Sequence, residues 1–250
     1  MNKFLTGVRR IIYLVLGKLD KYVTRHTNKI VVLCYHSVGD GNWRFSVKSK
    51  EFKKQIQFML QNYKAVTLVD IVDFVGENSI LPEFSFALTF DDGYKDVYKL
   101  KNFLSTYGIK PTLFLTSSFK GPNYLNEKEI GDLTKTGWEI GFHGNSHKIL
   151  TKLNGSELER EVERSEGRSF SYPHGKYSQE VIETVKISGY QYAVSMDDGL
   201  ISKNTNIFAI PRVGVDGTHS FSEFKVLASP SVMWFRNLIK KLPLGRFFLI

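Results

Sequence analysis

The stretch Phe86-Ala87-Leu88-Thr89-Phe90-Asp91-Asp92-Gly93 decides how the fold is read. Phe86 to Phe90 (FALTF) is a short run with no charged residue, the pattern of a strand covered on both faces. Asp91-Asp92-Gly93 halts it with turn chemistry. Asp96 to Tyr107 then carries a helical pattern that Gly108 ends. The same unit recurs in both directions. Upstream, Ile30 to Tyr35 (IVVLCY) is a second buried strand. Two helical stretches follow it: Ser46 to Tyr63, with Phe52, Ile56, Met59 and Leu60 on one face and Ser49 as N-cap candidate, and Val66 to Phe74, ended by Gly76. Downstream, Thr112–Leu115, Trp138–Phe142, Ser169–Tyr172, Tyr192–Ser195 and Phe208–Val213 read as strands, and Glu127–Thr136, Ser156–Arg164 and Ser178–Ser188 as helices. Strands alternating with helices predict an α/β fold of parallel β/α units. Six to eight units in about 200 residues fit an open sheet or a closed barrel, and no repeat or low-complexity linker divides them, so one domain is expected.

Composition narrows the classes. The chain has 250 residues, a formal net charge of +9, 42% apolar and 24% charged residues. That apolar share excludes a disordered chain. A single cysteine, Cys34, excludes a disulfide framework and a cysteine-based zinc module. No apolar run approaches the roughly 20 residues of a membrane span. The charge is unevenly placed: residues 1–29 carry seven Lys/Arg against Asp20, and residues 231–250 carry Arg236, Lys240, Lys241 and Arg246 with no acid. The body between them, residues 30–230, is close to neutral, which argues against a nucleic-acid-binding core.

Three segments follow: a basic amphipathic N-terminal helix over 1–29, a nearly neutral body over 30–230 and a basic amphipathic tail over 231–250. The first places Phe4, Val8, Ile11, Ile12, Val15, Leu19, Tyr22 and Val23 at helical spacing, and the tail mixes Met233, Trp234, Phe235, Leu238, Ile239, Phe247 and Phe248 with cations only. Such segments either lie on an anionic membrane surface, as peripheral contacts, or simply pack on the body. The N-terminal segment lacks the small-residue cleavage site of a signal peptide, so a cytoplasmic protein is expected, with peripheral contact to the inner membrane face the alternative to plain packing of the two basic ends.

Chemistry-bearing residues cluster just after the predicted strands, where catalytic loops of β/α folds emerge. Asp91-Asp92 offers one carboxylate for a metal and one for proton transfer, although a lone Asp-Asp-Gly is an ordinary turn. His143 and His147, four residues apart, can meet one divalent ion, or by themselves be coincidence. Together the two clusters supply a two-histidine, one-carboxylate set that leaves metal positions open. Tyr172-Pro173-His174-Gly175-Lys176-Tyr177 is a turn that either lines a pocket with aromatic residues or is a plain loop. Cys34-Tyr35-His36 ends the first body strand, where a lone histidine is more often a satisfied loop residue.

Thr89-Phe90-Asp91-Asp92-Gly93, Glu139-Ile140-Gly141-Phe142-His143-Gly144-Asn145-Ser146-His147 and Phe170-Ser171-Tyr172-Pro173-His174-Gly175, in that order and spacing, resemble the motifs of polysaccharide deacetylases, the carbohydrate esterases with the nodulation-factor deacetylase homology domain. The likeness runs from about Val31 to Val215. Tyr35-His36-Ser37-Val38 is similar to the circularly permuted subgroup acting on poly-N-acetylglucosamine, in which a histidine motif lies near the N-terminus. The resemblance implies a distorted β/α barrel of about seven strands. It implies a metal-dependent hydrolase that removes N-acetyl groups from amino sugars; the missing export signal and the two basic ends add the expectation of a glycan or lipid-linked precursor in envelope polysaccharide metabolism.

In the roles it implies, Asp92, His143 and His147 hold a divalent metal, expected to be Zn²⁺. Asp91 is the general base, and His36, as imidazolium, protonates the leaving amine. The turn Tyr172, Pro173, His174 and Tyr177 binds substrate, with the backbone N–H of His174 facing the oxyanion. The family's arginine before the Pro motif is absent here, and Phe170-Ser171-Tyr172 stands in its place. Arg168 or Arg212 is then left to orient Asp91, with Arg212, after a strand in Ile210-Pro211-Arg212-Val213, preferred. His174 replaces an aromatic residue, and the short stretch from Glu161 to Phe170 suggests a truncated helix. A deformylase or other amide hydrolase shares every motif; a non-catalytic glycan-binding relative would be expected to lose Asp91 or a ligand, and neither is lost.

Overall fold

A computed structural model of the chain describes residues 3–23, 29–163 and 167–242. Seven parallel strands form its main sheet: β1 (Lys29–Tyr35), β2 (Phe84–Phe90), β3 (Thr112–Leu115), β4 (Glu139–Phe142), β5 (Ser169–Ser171), β6 (Tyr192–Val194) and β7 (Val213–Gly214). They lie in the order β7-β1-β2-β3-β4-β5-β6, with Lys64–Ala65 as an extra short strand on β2. The sheet curls into a distorted single-domain barrel. Between the strands run α2 (Ser49–Asn62), α3 (Leu68–Val75), α4 (Lys101–Thr106), α5 (Glu127–Lys135), α6 (Gly155–Val162) and α7 (Gln179–Ile187), while α1 (Lys3–Val23), α8 (Phe221–Phe224) and α9 (Pro230–Lys240) belong to the chain ends.

β2 and, past Lys29, β1 are uncharged runs because both of their faces are covered. Val31, Leu33 and Tyr35 point to one side, against Phe52, Ile56 and Met59 of α2. Ile30 and Val32 point to the other, where they meet Ala87, Phe114, Tyr192 and Val194 from strands around the barrel and Ile210 from the segment before β7, to which α3 adds Leu68 and Ile71. Each such fully buried side chain contributes about 1.5–3 kcal/mol. A third cluster, including Phe142, Leu158, Phe170 and Val181, packs α6 and α7 on β4 and β5.

Several boundaries depart from the sequence reading for local reasons. The helix expected over Ser46–Tyr63 begins at Ser49, with Lys48 as its cap residue, because Ser46 and Val47 pair in register with Ser37 and Val38 instead. That clamp holds the loop carrying Trp43, Arg44 and Phe45 over the carboxyl end of the barrel. The Asp96–Tyr107 helix opens as a 3₁₀ stretch over Lys95–Leu100 before α4. The strand expected over Phe208–Val213 is confined to Val213–Gly214. Upstream of it the chain hangs on β6, through Ala193 N–H to Ile207 O and Ile210 N–H to Ala193 O, and Pro211, which has no N–H, interrupts the ladder. α6 is only two turns long.

At the chain ends, α1 packs on α8 and α9. Asp20 accepts from the Ser231 backbone N–H at 2.9 Å, a capping contact at the start of α9. Among the described residues no helix is long and apolar enough to cross a membrane. The expectations for residues 24–28, Arg164, Phe247 and Phe248 lie outside the described residues, as do those for the side chains of Tyr22 and Val23.

Candidate active site

Polar side chains converge where the strands end. Asp91 and Asp92 follow β2, His143 follows β4, Tyr172 follows β5, His36 follows β1 and Arg212 immediately precedes β7. One ligand atom from each of Asp92, His143 and His147 lies within 4.8 Å of the others. His143 Nε2 is 3.6 Å and His147 Nε2 3.4 Å from Asp92 Oδ1. His143 Nδ1 lies 2.7 Å from the Ser171 carbonyl, which can only accept; Nδ1 therefore carries the proton and Nε2 presents its lone pair to the cluster. Asp92 Oδ1 is buried with no hydrogen-bond partner, an arrangement that costs about 1–3 kcal/mol when nothing compensates it. An orphaned carboxylate oxygen faced by imidazole nitrogens fits a divalent cation.

Burial and the neighbouring Asp91 push the Asp92 carboxyl up to about 7. Burial draws His143 down to about 3, and burial together with His174 draws His147 down to about 4. Both imidazoles are thus neutral near pH 7, the form that ligates metals.

Asp91 is controlled differently. Arg212, fully buried, spends all five N–H groups around it. Its Nη1 and Nη2 donate to Asp91 Oδ1 and Oδ2 at 2.7 Å each, Nη1 also to Thr89 Oγ1, Nη2 to Ser171 Oγ and Nε to the Ser195 carbonyl. Burial alone would raise the Asp91 carboxyl, but the Arg212 guanidinium and the His143 ring beside it hold it well below the usual range. Arg168 lies away from Asp91, its Nε 3.8 Å from Glu139. Ser171 Oγ adds a further hydrogen bond to Asp91 Oδ2 at 3.2 Å.

His36 lines the same cleft, with Nδ1 buried and unpartnered. Burial lowers its pKa, so the resting side chain is neutral imidazole and not the expected imidazolium. In the Tyr172–Tyr177 turn, Tyr172 and His174 line the cleft, whereas Pro173 is buried beneath it. Tyr172 gives its hydroxyl to the Phe208 carbonyl at 2.8 Å, and Tyr177 stacks behind it with its own hydroxyl on Asp197. Tyr177 therefore acts on Tyr172 and Asp197 and is not a lining residue. His174 sets its ring 4.4 Å from that of His147.

Sequence reasoning missed two features. The first is Glu161 on α6, a buried carboxylate that accepts from the backbone N–H of Ser146 and Lys148 and from Ser146 Oγ, while its own carbonyl accepts from Asn145 N–H. It holds the loop between His143 and His147. The second is backbone conformation: Asp92 (φ 72°), His147 (φ 58°) and His174 (φ 58°) occupy the left-handed region that L-residues avoid. Such strain gathers at functional sites. The cleft holds about 1250 Å³ and is flanked by Trp43, Phe45, Tyr94 and Phe119.

Comparison with known proteins points one way. The description of the polysaccharide deacetylase family matches residues 79–193. The YxkH protein of Bacillus subtilis (strain 168), assigned to the polysaccharide deacetylases, is 28% identical over 214 residues, covering 80% of this chain and 76% of its own. The poly-beta-1,6-N-acetyl-D-glucosamine N-deacetylase of Staphylococcus epidermidis is 26% identical over 196 residues, covering 68% of each chain. The structure of the Streptococcus pyogenes deacetylase PplD superposes with a TM-score of 0.70 at 19% identity, over 82% of this chain and 99% of that one, and shares the fold.

Proposed function

We propose that the chain is a polysaccharide deacetylase, one that hydrolyses N-acetyl groups from amino sugars of a glycan, releasing acetate and leaving a free amine; the match over residues 79–193 and the relatives support this. The observation that carries the reading is the pair of carboxylates in unlike states: Asp92, orphaned among two neutral imidazoles, beside Asp91, held ionised by Arg212.

Asp92, His143 and His147 would hold the family's divalent metal, Zn²⁺ in this reading, and such an ion supplies a polarised acetyl carbonyl and a water acidic enough to ionise near neutral pH. Asp91 accepts the proton of the attacking water on its carboxylate. The bidentate Arg212 fixes the orientation of that carboxylate and keeps it charged, at the expense of basicity. His36 passes a proton to the leaving nitrogen; because burial keeps it neutral at rest, it must take up that proton within the catalytic cycle. The backbone at His174, turned by its positive φ, faces the developing oxyanion. The aromatic faces of Trp43, Phe45 and Tyr94 give sugar rings an apolar platform. Within this class, the Staphylococcus epidermidis relative supports β-1,6-linked poly-N-acetylglucosamine as the substrate.

The test is acetate release from β-1,6-linked N-acetylglucosamine oligomers, with and without a chelator, for the wild type and Asp91→Asn. Release that chelation and the substitution each abolish supports the reading. Metal-loaded wild type that releases no acetate from any N-acetylated oligomer overturns it.

A further inference from the structure

α1 is built inside out. Its stripe Val8, Ile11, Val15 and Leu19 follows the i, i+3/i+4 spacing that normally seats a helix on a core. Yet the buried side of the helix is the opposite one. There Arg9 gives its Nε to Glu223 at 2.9 Å and its other nitrogens to Thr218, Tyr13 stacks near His219, Gly17 presses on Val226, and Asp20 meets Ser231. Arg9, Gly17 and Asp20 face in beside Tyr13 and the partly buried Leu16, and Ile11, Val15 and Leu19 face out.

α9 carries apolar residues on both sides: Val232, Met233 and Ile239 are buried together with Arg236, which pairs with Asp198 at 2.8 Å, while Trp234, Leu238 and, just past the helix end, Leu242 run along the outer side at intervals of four. The six outer apolar residues of the two segments are between 41% and 65% exposed. The helices pack on each other and bury their other sides on one body, so the two stripes face outward together.

The charge around this face has one sign. Arg10, Lys18 and Lys241 are exposed; Arg10 stands 3.6 Å from the buried Glu223, and Lys240 is paired with the buried Asp198, so the exposed charge left on this face is positive. The one acid of α1, Asp20, is buried, and no acid follows Glu223. A second copy docked here would set cations against cations, whereas an anionic lipid surface complements both the charge and the apolar stripes. We propose that the outer face of α1 and α9 docks the protein on a bilayer containing anionic lipid. Lys241 and Leu242 also line the mouth of the catalytic cleft, so docking brings that mouth to the lipid headgroups.

The inference stands on the two helices alone, independently of the reaction at the site. Full-length protein is sedimented with vesicles of equal parts phosphatidylcholine and phosphatidylglycerol, and with pure phosphatidylcholine vesicles. The expected result is sedimentation with the mixed vesicles only. The triple variant Ile11→Gln, Val15→Gln, Leu19→Gln, which keeps good helix formers at exposed positions, should bind at least tenfold more weakly with an unchanged melting temperature. Arg10→Gln with Lys18→Gln should cost about fivefold for each cation removed. Three outcomes overturn the proposal: no sedimentation with the anionic vesicles, sedimentation that the triple variant leaves intact, or a dimer that the triple variant converts to monomer without any vesicle binding.

Discussion

Replacing Arg212 by methionine removes a guanidinium of similar length and keeps its apolar stem. The wild-type side chain is completely buried and makes two 2.7 Å contacts to Asp91, with the rest of its N–H groups on Thr89, Ser171 and Ser195. Breaking a buried ion pair from one side costs about 3–5 kcal/mol, because the remaining charge is stranded. At about 2–4 °C per kcal/mol for a chain of this size, the melting temperature should fall by roughly 6–20 °C. The pH dependence identifies the cause. In the wild type the Asp91 carboxyl lies below its unfolded value, so the pair stabilises fully above about pH 4 and fades only as pH falls further. In the variant the guanidinium is gone and burial, opposed now by the His143 ring and the Ser171 hydroxyl, raises the carboxyl, so the variant loses stability as pH climbs from about 4. The gap between the two proteins therefore narrows as pH is lowered from 7 toward 4. Asp91→Asn in the variant background should recover part of the loss, since it removes the stranded charge. Urea unfolding of the four proteins of the double-mutant cycle at several pH values measures all of this. A loss below about 1 kcal/mol, a gap that ignores pH, or no coupling between the two positions would refute the reasoning.

Further expectations concern the metal and the backbone. Because Asp92 is pushed up to about 7 in the metal-free protein and must be ionised to ligate, apparent Zn²⁺ affinity should fall about tenfold per pH unit below about 7; calorimetry in buffers of different ionisation heat reads the released proton. Glu161→Ala should weaken metal binding by about 10–100-fold without touching a ligand, since the loop between His143 and His147 loses its anchor; competition with a chromogenic chelator measures it. Gly141→Ala should destabilise by about 1–3 kcal/mol and lower activity together, because a Cβ there would stand 2.5 Å from Phe114 and 2.6 Å from Ser169, next to Phe142 and two residues before His143; denaturant midpoints and initial rates check it.

The parts of this molecule that could be read from residues were those with local signatures. Uncharged runs such as IVVLCY and FALTF announce strands covered on both faces, and His143 and His147 sit at a spacing that ligands share. What could not be read depends on three-dimensional partners. Glu161 lies on a charged surface-type helix, and nothing in its neighbours tells that its side chain turns inward to three donors in a distant loop. The stripe of α1 has the same periodicity whether it faces the core or the solvent; the pairing of Arg9 with Glu223, 214 residues away, decides which. The positive φ angles at Asp92, His147 and His174 belong to residue types that tolerate that region, yet no sequence pattern requires it there. Pro211 was visible, but its effect, ending the run on β6 before β7 begins, depends on which strand lies beside it.

The most direct test of the account is the metal content of the purified protein and its Asp92→Asn variant, measured by elemental analysis after dialysis against trace Zn²⁺, with folding checked by circular dichroism. The account predicts about one ion per chain in the wild type and almost none in a variant that remains folded, since Asp92 is the carboxylate on which His143 and His147 converge. Equal metal in both proteins, or none in the wild type, would contradict it.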